Sequence, residues 1–338
     1  MKRILFYSSV NSLELFKTQK FYQIDISILK DLGYDVLLSN RILDSLLFWK
    51  YDILFSYFYR YSFFAALLAK CFGKKTYFTG GIDSLDSDYA SAFNYKIQAL
   101  FFKLCYWVAD SCIIVSQSDL KNIFKVSSLK KKLSYSEHVI NTKLFIADVP
   151  KEKIFTSIVW MGDEGNVVRK GVDKALQIFA ELKKIPEFVD YRFVIIGRKG
   201  EGEVLVRSII DKYNLKGSVE LKGEVSEEDK INLLKQSKYY FQLSLYEGFG
   251  LAALEALCAN NIIIHSGKGG LANPIYKEQL LFDIDNDFDS ELLKLVNKLA
   301  CFTPITSYDN LLEYYDIQRR KDDFEAIIVN GKSNYKLK

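Results

Sequence analysis

Short apolar runs alternate with longer amphipathic stretches along this chain. In the first half, runs rich in β-branched and aromatic residues predict strands near residues 3–7, 35–38, 52–56, 75–78 and 111–115. Between them, residues 13–32, 61–71 and 89–108 repeat their apolar positions at helical spacing. The rhythm weakens over about 127–153 and then restarts. Residues 154–160 predict a strand, and 170–184 an amphipathic helix stopped by Pro186. Residues 191–196 and 219–221 predict strands that run to Gly197 and Gly223, and 239–243 and 262–265 predict two more. Ser226-Glu-Glu-Asp229 has the form of a capping box opening a helix. Such alternation implies parallel, doubly wound α/β sheets with helices on both faces. Two Rossmann-like domains are expected, 1–150 and 151–310, facing across a cleft, with 311–338 as a C-terminal helix packing back on the first. Open sheets of this kind bind ligands at the carboxyl ends of their strands.

Composition narrows the function classes. The chain has 338 residues, 49% hydrophobic and 26% charged, which suits two globular domains with ample core. The opening MKRILFYSSV carries one apolar run of strand length and then polar residues, so no signal peptide is expected. No apolar stretch reaches the length of a membrane span. The five cysteines are scattered without CxxC spacing, which argues against a disulfide framework or zinc site and fits a cytoplasmic setting. His138 and His265 are the two histidines, and both are expected to be structural, so histidine-based chemistry has little to draw on. A net charge of +4 does not suggest nucleic-acid binding. The charge is uneven, however: residues 1–150 hold about 19 Lys/Arg against about 13 Asp/Glu. The same half holds the aromatic runs 51–64 and 93–107, a combination open to peripheral contact with the inner face of a membrane or, more blandly, to aromatic core helices with solvated lysines.

The most informative block is residues 246–261, YEGFGLAALEALCANN. A strand runs into a glycine-containing turn and then a helix from about Leu251. Gly248 and Gly250 let backbone approach a ligand, and the helix amino end offers N–H groups to a phosphate. Glu247 lies in the turn and Glu255 two helical turns on, so both are expected to face one pocket. Ionised carboxylates there suit a hydroxyl-rich ligand, because each accepts strong hydrogen bonds from a diol.

The EGFGLAALEAL string resembles the E-x7-E signature of family 4 retaining glycosyltransferases of the GT-B fold. RKGVDKALQIFAEL (169–182), FVIIG (193–197) and the run 219–250 are similar to that family's second half. GGID (80–83) and ADSCIIVSQSDLKNI (109–123) resemble its first half more loosely. The resemblance implies transfer of a sugar from a UDP- or GDP-linked donor to a glycan or lipid-linked glycan, with retention and without a metal or other cofactor; surface polysaccharide assembly would fit the basic, aromatic first half. Glu255 would bind the ribose. Glu247, with the backbone of Gly248, Phe249, Gly250 and Leu251, would hold the sugar and distal phosphate. Lys170 would lie against the diphosphate, and Gly197, Arg198 and Gly223 would meet the base. Gly81 and Asp83 would stand on the acceptor side.

Three positions depart from the family pattern. Asp163 follows Gly162 where the family carries an arginine, Gly80 replaces a histidine, and SSVNS (8–12) lacks a glycine pair. Either Arg169 or Arg198 supplies the missing cation, or donor chemistry is weakened. The alternatives are therefore a nucleotide-sugar-binding subunit without turnover, or an epimerase or phosphorylase on the same fold. Asp283-Ile-Asp285, Asp285-Asn-Asp287 and Asp86-Ser-Asp88 match a D-x-D metal motif but lie in the wrong context for one. Lys130–Lys132 reads as a solvated run, and GKGG (267–270) as a simple turn or a phosphate-proximal loop.

Overall fold

In the computed structural model, which describes residues 1–146, 149–302 and 309–331, the chain forms two six-stranded sheets. Every strand pairing in both is parallel. The first unit comprises Met1–Ile140 and the described part of the segment from Tyr314; the second is Asn141–Glu313. These divisions lie at 140 and 313, against 150 and 310 in the sequence pattern. Phe145 shows why: it is buried within the second unit, 5.9 Å from Lys230.

The first sheet contains β1 (Arg3–Ser8), β2 (Asp35–Ser39), β3 (Ile53–Tyr57), β4 (Lys75–Thr79), β5 (Ser111–Ile114) and β6 (Leu133–Tyr135). Their order is β2-β1-β3-β4-β5-β6. All of β3, ILFSY, is buried, as a strand covered on both faces requires. Phe6 on β1 stacks on Phe55 at 5.6 Å and meets Phe16 and Tyr22 edge-on at 5.6 and 6.0 Å. Those contacts explain a break in the helix expected over 13–32. Phe16 and Tyr22 are six residues apart and would point about 120° apart on one helix. The chain instead forms Leu15–Thr18 and Lys20–Asp31 with Gln19 extended between them, and both rings reach Phe6.

The second sheet contains β7 (Glu152–Ile158), β8 (Arg192–Ile196), β9 (Val219–Gly223), β10 (Ser237–Gln242), β11 (Ile262–His265) and β12 (Leu280–Leu281). Its order, β12-β11-β10-β7-β8-β9, reverses direction between β7 and β10. Phe155 on β7 stacks on Tyr239 and Phe241 of β10 at 4.6 and 5.1 Å, fixing those two strands side by side. Trp160 lies past the end of β7 and is exposed. The helix expected over 170–184 is Val172–Leu182, and a separate short helix, Glu164–Arg169, precedes it across Gly171.

After the second unit, helix Ile317–Phe324 packs on helix Lys20–Asp31 of the first. Its Arg320 is fully buried and donates to both oxygens of Asp25, at 2.7 and 2.8 Å. Residues 332–338 of the expected C-terminal segment lie outside the described residues. Among the described residues no helix is long and apolar enough to cross a membrane, and the five cysteines are unbridged.

Candidate functional site

A reversal of strand order leaves a crevice at the carboxyl ends of the two strands flanking it, here β7 and β10. The segment after β7 leads through helix Glu164–Arg169 to Lys170, and the turn after β10 leads to Glu247. Their side chains meet there, Lys170 Nζ donating to Glu247 Oε2 at 2.7 Å, with both groups largely buried. The same oxygen accepts from Gln242 Nε2 and Ser244 Oγ, each at 3.2 Å. Gln242 is in turn fixed by Tyr240, whose hydroxyl donates to Gln242 Oε1 at 3.1 Å. Burial, with Glu255 and Glu247 nearby, pushes that phenol far above its ordinary range, so it stays protonated. Tyr240, Gln242 and Ser244 alternate along the chain and so share one face.

The backbone around this pair has little freedom. Gly171 is left-handed (φ 68°), and a Cβ there would lie 2.0 Å from the carbonyl oxygen of Leu243. Leu245 N–H donates to the Arg169 carbonyl at 2.8 Å, tying the two turns together. Gly250 is also left-handed (φ 88°) and caps the amino end of helix Leu251–Cys258. The GKGG loop packs beneath: Gly270 N–H donates to the Glu247 carbonyl at 2.5 Å, and a Cβ on Gly269 would lie 2.2 Å from that oxygen. Gly248 and Leu251 are partly accessible, whereas Phe249 is buried.

Glu255 is 5% exposed. Lys230 Nζ donates to both of its carboxylate oxygens at 2.8 Å, and also reaches Glu227 at 3.1 Å. The two glutamates are thus held by different lysines, each a fixed cation–carboxylate pair. Lys230, Gln242 and Ser244 are contributors that motif reading misses. The alternation of β10 signals the latter two. Lys230, one residue past the Ser226–Asp229 box, reads as an ordinary solvated helix charge. That box forms, with Ser226 Oγ accepting from Asp229 N–H at 3.0 Å.

At the ends of β8 and β9, Gly197 N–H donates to the Gly223 carbonyl at 2.8 Å, and both glycines have positive φ. A Cβ on Gly197 would lie 2.0 Å from the Val159 carbonyl oxygen. Arg198 is exposed, and its carbonyl accepts from Met161 N–H at 2.9 Å. The Arg169 guanidinium is bonded to Asn166 Oδ1 at 2.6 Å. Asp163 caps helix Glu164–Arg169, accepting from Asn166 N–H at 2.6 Å.

In the first unit, Gly81 and the exposed Asp83 follow β4. Gly80 (φ 101°) packs against Phe58, itself left-handed at φ 67°. Strain in a bulky residue is stored where surrounding structure enforces it, often at functional sites. Beneath this loop lies Asp119, fully buried, its Oδ1 accepting from Ile82 N–H at 3.3 Å. Burial, then the nearby Asp83, pushes its carboxyl up to about 8. His138 and His265 are buried with their ring pKa lowered by burial, His265 to about 4. Asp285 pairs with Lys268, and Asp287 caps helix Phe288–Cys301. Among the described residues no group of three or more potential metal ligands is assembled.

Residues 165–299 match the family described as Glycosyl transferases group 1. Over 163 residues the chain is 32% identical to a GDP-mannose:cellobiosyl-diphosphopolyprenol alpha-mannosyltransferase of Xanthomonas oryzae, covering 42% of this chain and 40% of that protein. Over 105 residues it is 30% identical to a human phosphatidylinositol N-acetylglucosaminyltransferase subunit, covering 31% and 21% respectively. The chain thus spans well under half the length of these relatives. In fold it is similar to Anabaena Alr3699/HepE, solved with UDP and glucose, at a TM-score of 0.72 and 12% identity over 98% of this chain and 100% of that one. It is also similar to a sucrose-phosphate synthase from Thermosynechococcus elongatus, at 0.66 and 16% over 98% and 97%.

Proposed function

We propose that this chain, whose residues 165–299 match the group 1 glycosyl transferases and whose fold is of the GT-B type, transfers a sugar from a nucleotide diphosphate sugar to a glycan or lipid-linked glycan, with retention and without a metal ion. The observation that carries the reading is the Lys170–Glu247 pair set where β7 and β10 part, in front of the amino end of helix Leu251–Cys258. Breaking the glycosyl–phosphate bond sends its electron pair, and so negative charge, onto the diphosphate. A fixed ammonium and backbone N–H groups at a helix start stabilise that charge in proportion to how little they must reorganise. Glu247, immobilised by three donors, accepts hydrogen bonds from the sugar hydroxyls; Glu255 does so from the ribose, with Lys230 holding it in place. Backbone groups at Gly197, Arg198 and Gly223 meet the base. Gly81 and Asp83 are assigned to the acceptor side.

The acceptor oxygen attacks the anomeric carbon from the face the diphosphate leaves, and its proton passes to the departing phosphate oxygen. This route asks for no histidine base, and both histidines are buried. A second reading, a nucleotide-sugar-binding subunit without turnover, rests on Asp163. It stands at the family's arginine position and is engaged in capping a helix. The relatives named above support a lipid-linked acceptor, since one is a mannosyltransferase named for a diphosphopolyprenol-linked sugar.

Thermal unfolding with UDP, GDP, ADP, CDP and dTDP, with and without magnesium, tests the donor site. A nucleotide at 100 times its Kd stabilises by about 2.7 kcal/mol, a rise of a few degrees for a chain of this size. One nucleotide raises the midpoint, magnesium changes nothing, and Glu255→Ala abolishes the rise. No rise with any nucleotide overturns the reading. Release of that nucleotide from its sugar conjugate on adding acceptor, lost in Glu247→Gln, separates the transferase from the binding subunit.

A further inference from the structure

Trp160 follows β7 at the carboxyl edge of the second sheet, and its neighbours give it a direction. The pairing of β7 with β8 continues past both strand ends: Val159 N–H donates to the Ile196 carbonyl and Met161 N–H to the Arg198 carbonyl, each at 2.9 Å. Val159 and Met161 are buried in the core that holds Leu176 and Phe179. Side chains of an extended segment alternate between faces, so Trp160 lies on the opposite one. There Ile158 packs with Ile196, Val225 and Leu233. Leu233 belongs to helix Glu227–Gln236, which starts at the carboxyl edge shortly after β9. Lys230, about one turn nearer that edge, holds Glu255. Trp160 therefore shares a face and an edge of the sheet with the Lys230–Glu255 pair.

The indole is held, yet it is offered to solvent. A Cβ on Gly162 would lie 2.7 Å from its Cε2 and Cζ2, so one flank of the ring rests on that glycine. Asn166 Nδ2 donates to the Trp160 carbonyl, which fixes the main chain beneath. The ring nevertheless remains 56% exposed. Arg198, tied to Met161 through its own carbonyl, is exposed beside it. Arg169 spends its guanidinium on Asn166, whereas that of Arg198 forms no ion pair among the described residues.

We propose that the base of the donor stacks on Trp160 and that the Arg198 guanidinium reads its edge, which makes the donor a guanosine diphosphate sugar. This rests on the donor-site reading above and adds to it the two side chains that tell one base from another. Every base has a π-face for an indole to stack on, and the larger overlap of two fused rings favours a purine. Stacking does not separate guanine from adenine. A guanidinium does: it donates two parallel hydrogen bonds to guanine O6 and N7, whereas adenine turns its own N6 donor toward it. Uracil and cytosine have neither the second ring nor N7.

Thermal unfolding of the whole chain against GDP, ADP and UDP, together with Trp160 fluorescence, tests it. GDP raises the melting temperature, and ADP or UDP needs a concentration roughly tenfold higher or more for an equal rise. Trp160→Leu raises the GDP concentration required roughly tenfold, and Trp160→Phe, which keeps a smaller ring, raises it less. Both variants melt as the wild type does without ligand, because the indole is largely outside the core. Arg198→Met brings ADP level with GDP. The chain has three tryptophans, so in Trp49→Phe/Trp107→Phe the remaining emission is that of Trp160. GDP quenches it to saturation, and ribose 5-phosphate, which has no base, does not. UDP acting at or below the GDP concentration overturns the proposal. So does a GDP-induced rise that leaves Trp160 emission unchanged, even where Trp160→Leu fails to fold. Both results leave the donor site standing; no rise with any nucleotide is the separate result that removes the site and this inference with it.

Discussion

Asp119 is a carboxyl with no solvent exposure, one backbone donor on Oδ1 and no hydrogen-bond partner on Oδ2. Removing water from it disfavours the ionised form and the nearby Asp83 adds to that, against help from Ser116 and the Ile82 N–H; Asp86 adds least. In the folded chain it loses its proton near pH 8, whereas in the unfolded chain it does so near 4. The folded state therefore binds more protons between these values. The contribution to stability is whole below about pH 4 and is lost as pH rises to about 8. The buried histidines work the other way. His265 titrates near 4 when folded and near 6.5 when unfolded, so stability is lost as pH falls through that interval. The two effects overlap below about 6.5, and above it Asp119 acts without them. Stability of the wild type falls from about pH 6.5 to 8, by at most about 1.4 kcal/mol per pH unit for one proton. In Asp119→Asn, which has no proton to lose, that fall is absent. Urea unfolding of both proteins across this window measures it, and parallel slopes would remove Asp119 as the cause.

Glycine positions decide how elements meet at the site. Gly171 stands between helices Glu164–Arg169 and Val172–Leu182 and opens the second of them. The left-handed turn brings Lys170 round to Glu247, and there is no room for a side chain: a Cβ would lie 2.0 Å from Leu243 O and 2.5 Å from Leu243 C. Gly171→Ala therefore meets both a strained backbone, about 1–2 kcal/mol, and a collision with main chain, about 1–3 kcal/mol more. Gly217→Ala is the control, since Gly217 has φ 84° but nothing within 4 Å of its Cβ position. It meets the strain and not the collision. Equal losses of stability in the two variants would show that the close approach to Leu243 is unimportant. The same contrast explains what the sequence makes legible. Strands β1, β3, β7, β8, β10 and β11 are long apolar runs and stand out; β6, LSY, and β12, LL, are too short to show a period. Glu247, Gly250 and Glu255 lie within nine residues, so their spacing carries a signal. The lysines that hold those glutamates do not, because Lys170 is 77 residues from Glu247 and Lys230 is 25 from Glu255. Such pairings are made by strand order, which no local pattern encodes.

On the scale of the whole molecule, the second unit is one continuous stretch while the first is finished by a segment encoded after it. The pair that seals the first unit, Arg320 and Asp25, is separated by 295 residues. At about 5–20 residues per second, a ribosome takes tens of seconds to supply Arg320 after Asp25 has emerged. Over that interval the nascent first unit lacks the cation that neutralises a side chain destined for full burial, so the contiguous second unit is the first to be complete. Around the finished pair, Arg320 also donates to the carbonyls of Ser136 and Glu137, and Tyr57 donates to Asp25. A buried pair of this kind owes little net stability to its mutual attraction, because both charges give up hydration. Loss of one member is different: it strands the other charge without water. Arg320→Met alone lowers stability by about 3–5 kcal/mol, as does Asp25→Leu alone. The double variant Arg320→Met/Asp25→Leu, with no charge left unpaired, loses clearly less than the two single losses together. Denaturant unfolding of the four proteins gives the coupling directly. A double variant as unstable as the sum of the singles would mean that helix Ile317–Phe324 is held by its apolar residues, such as Phe324 against Phe55 at 5.4 Å, and that the ion pair does not gate closure of the first unit.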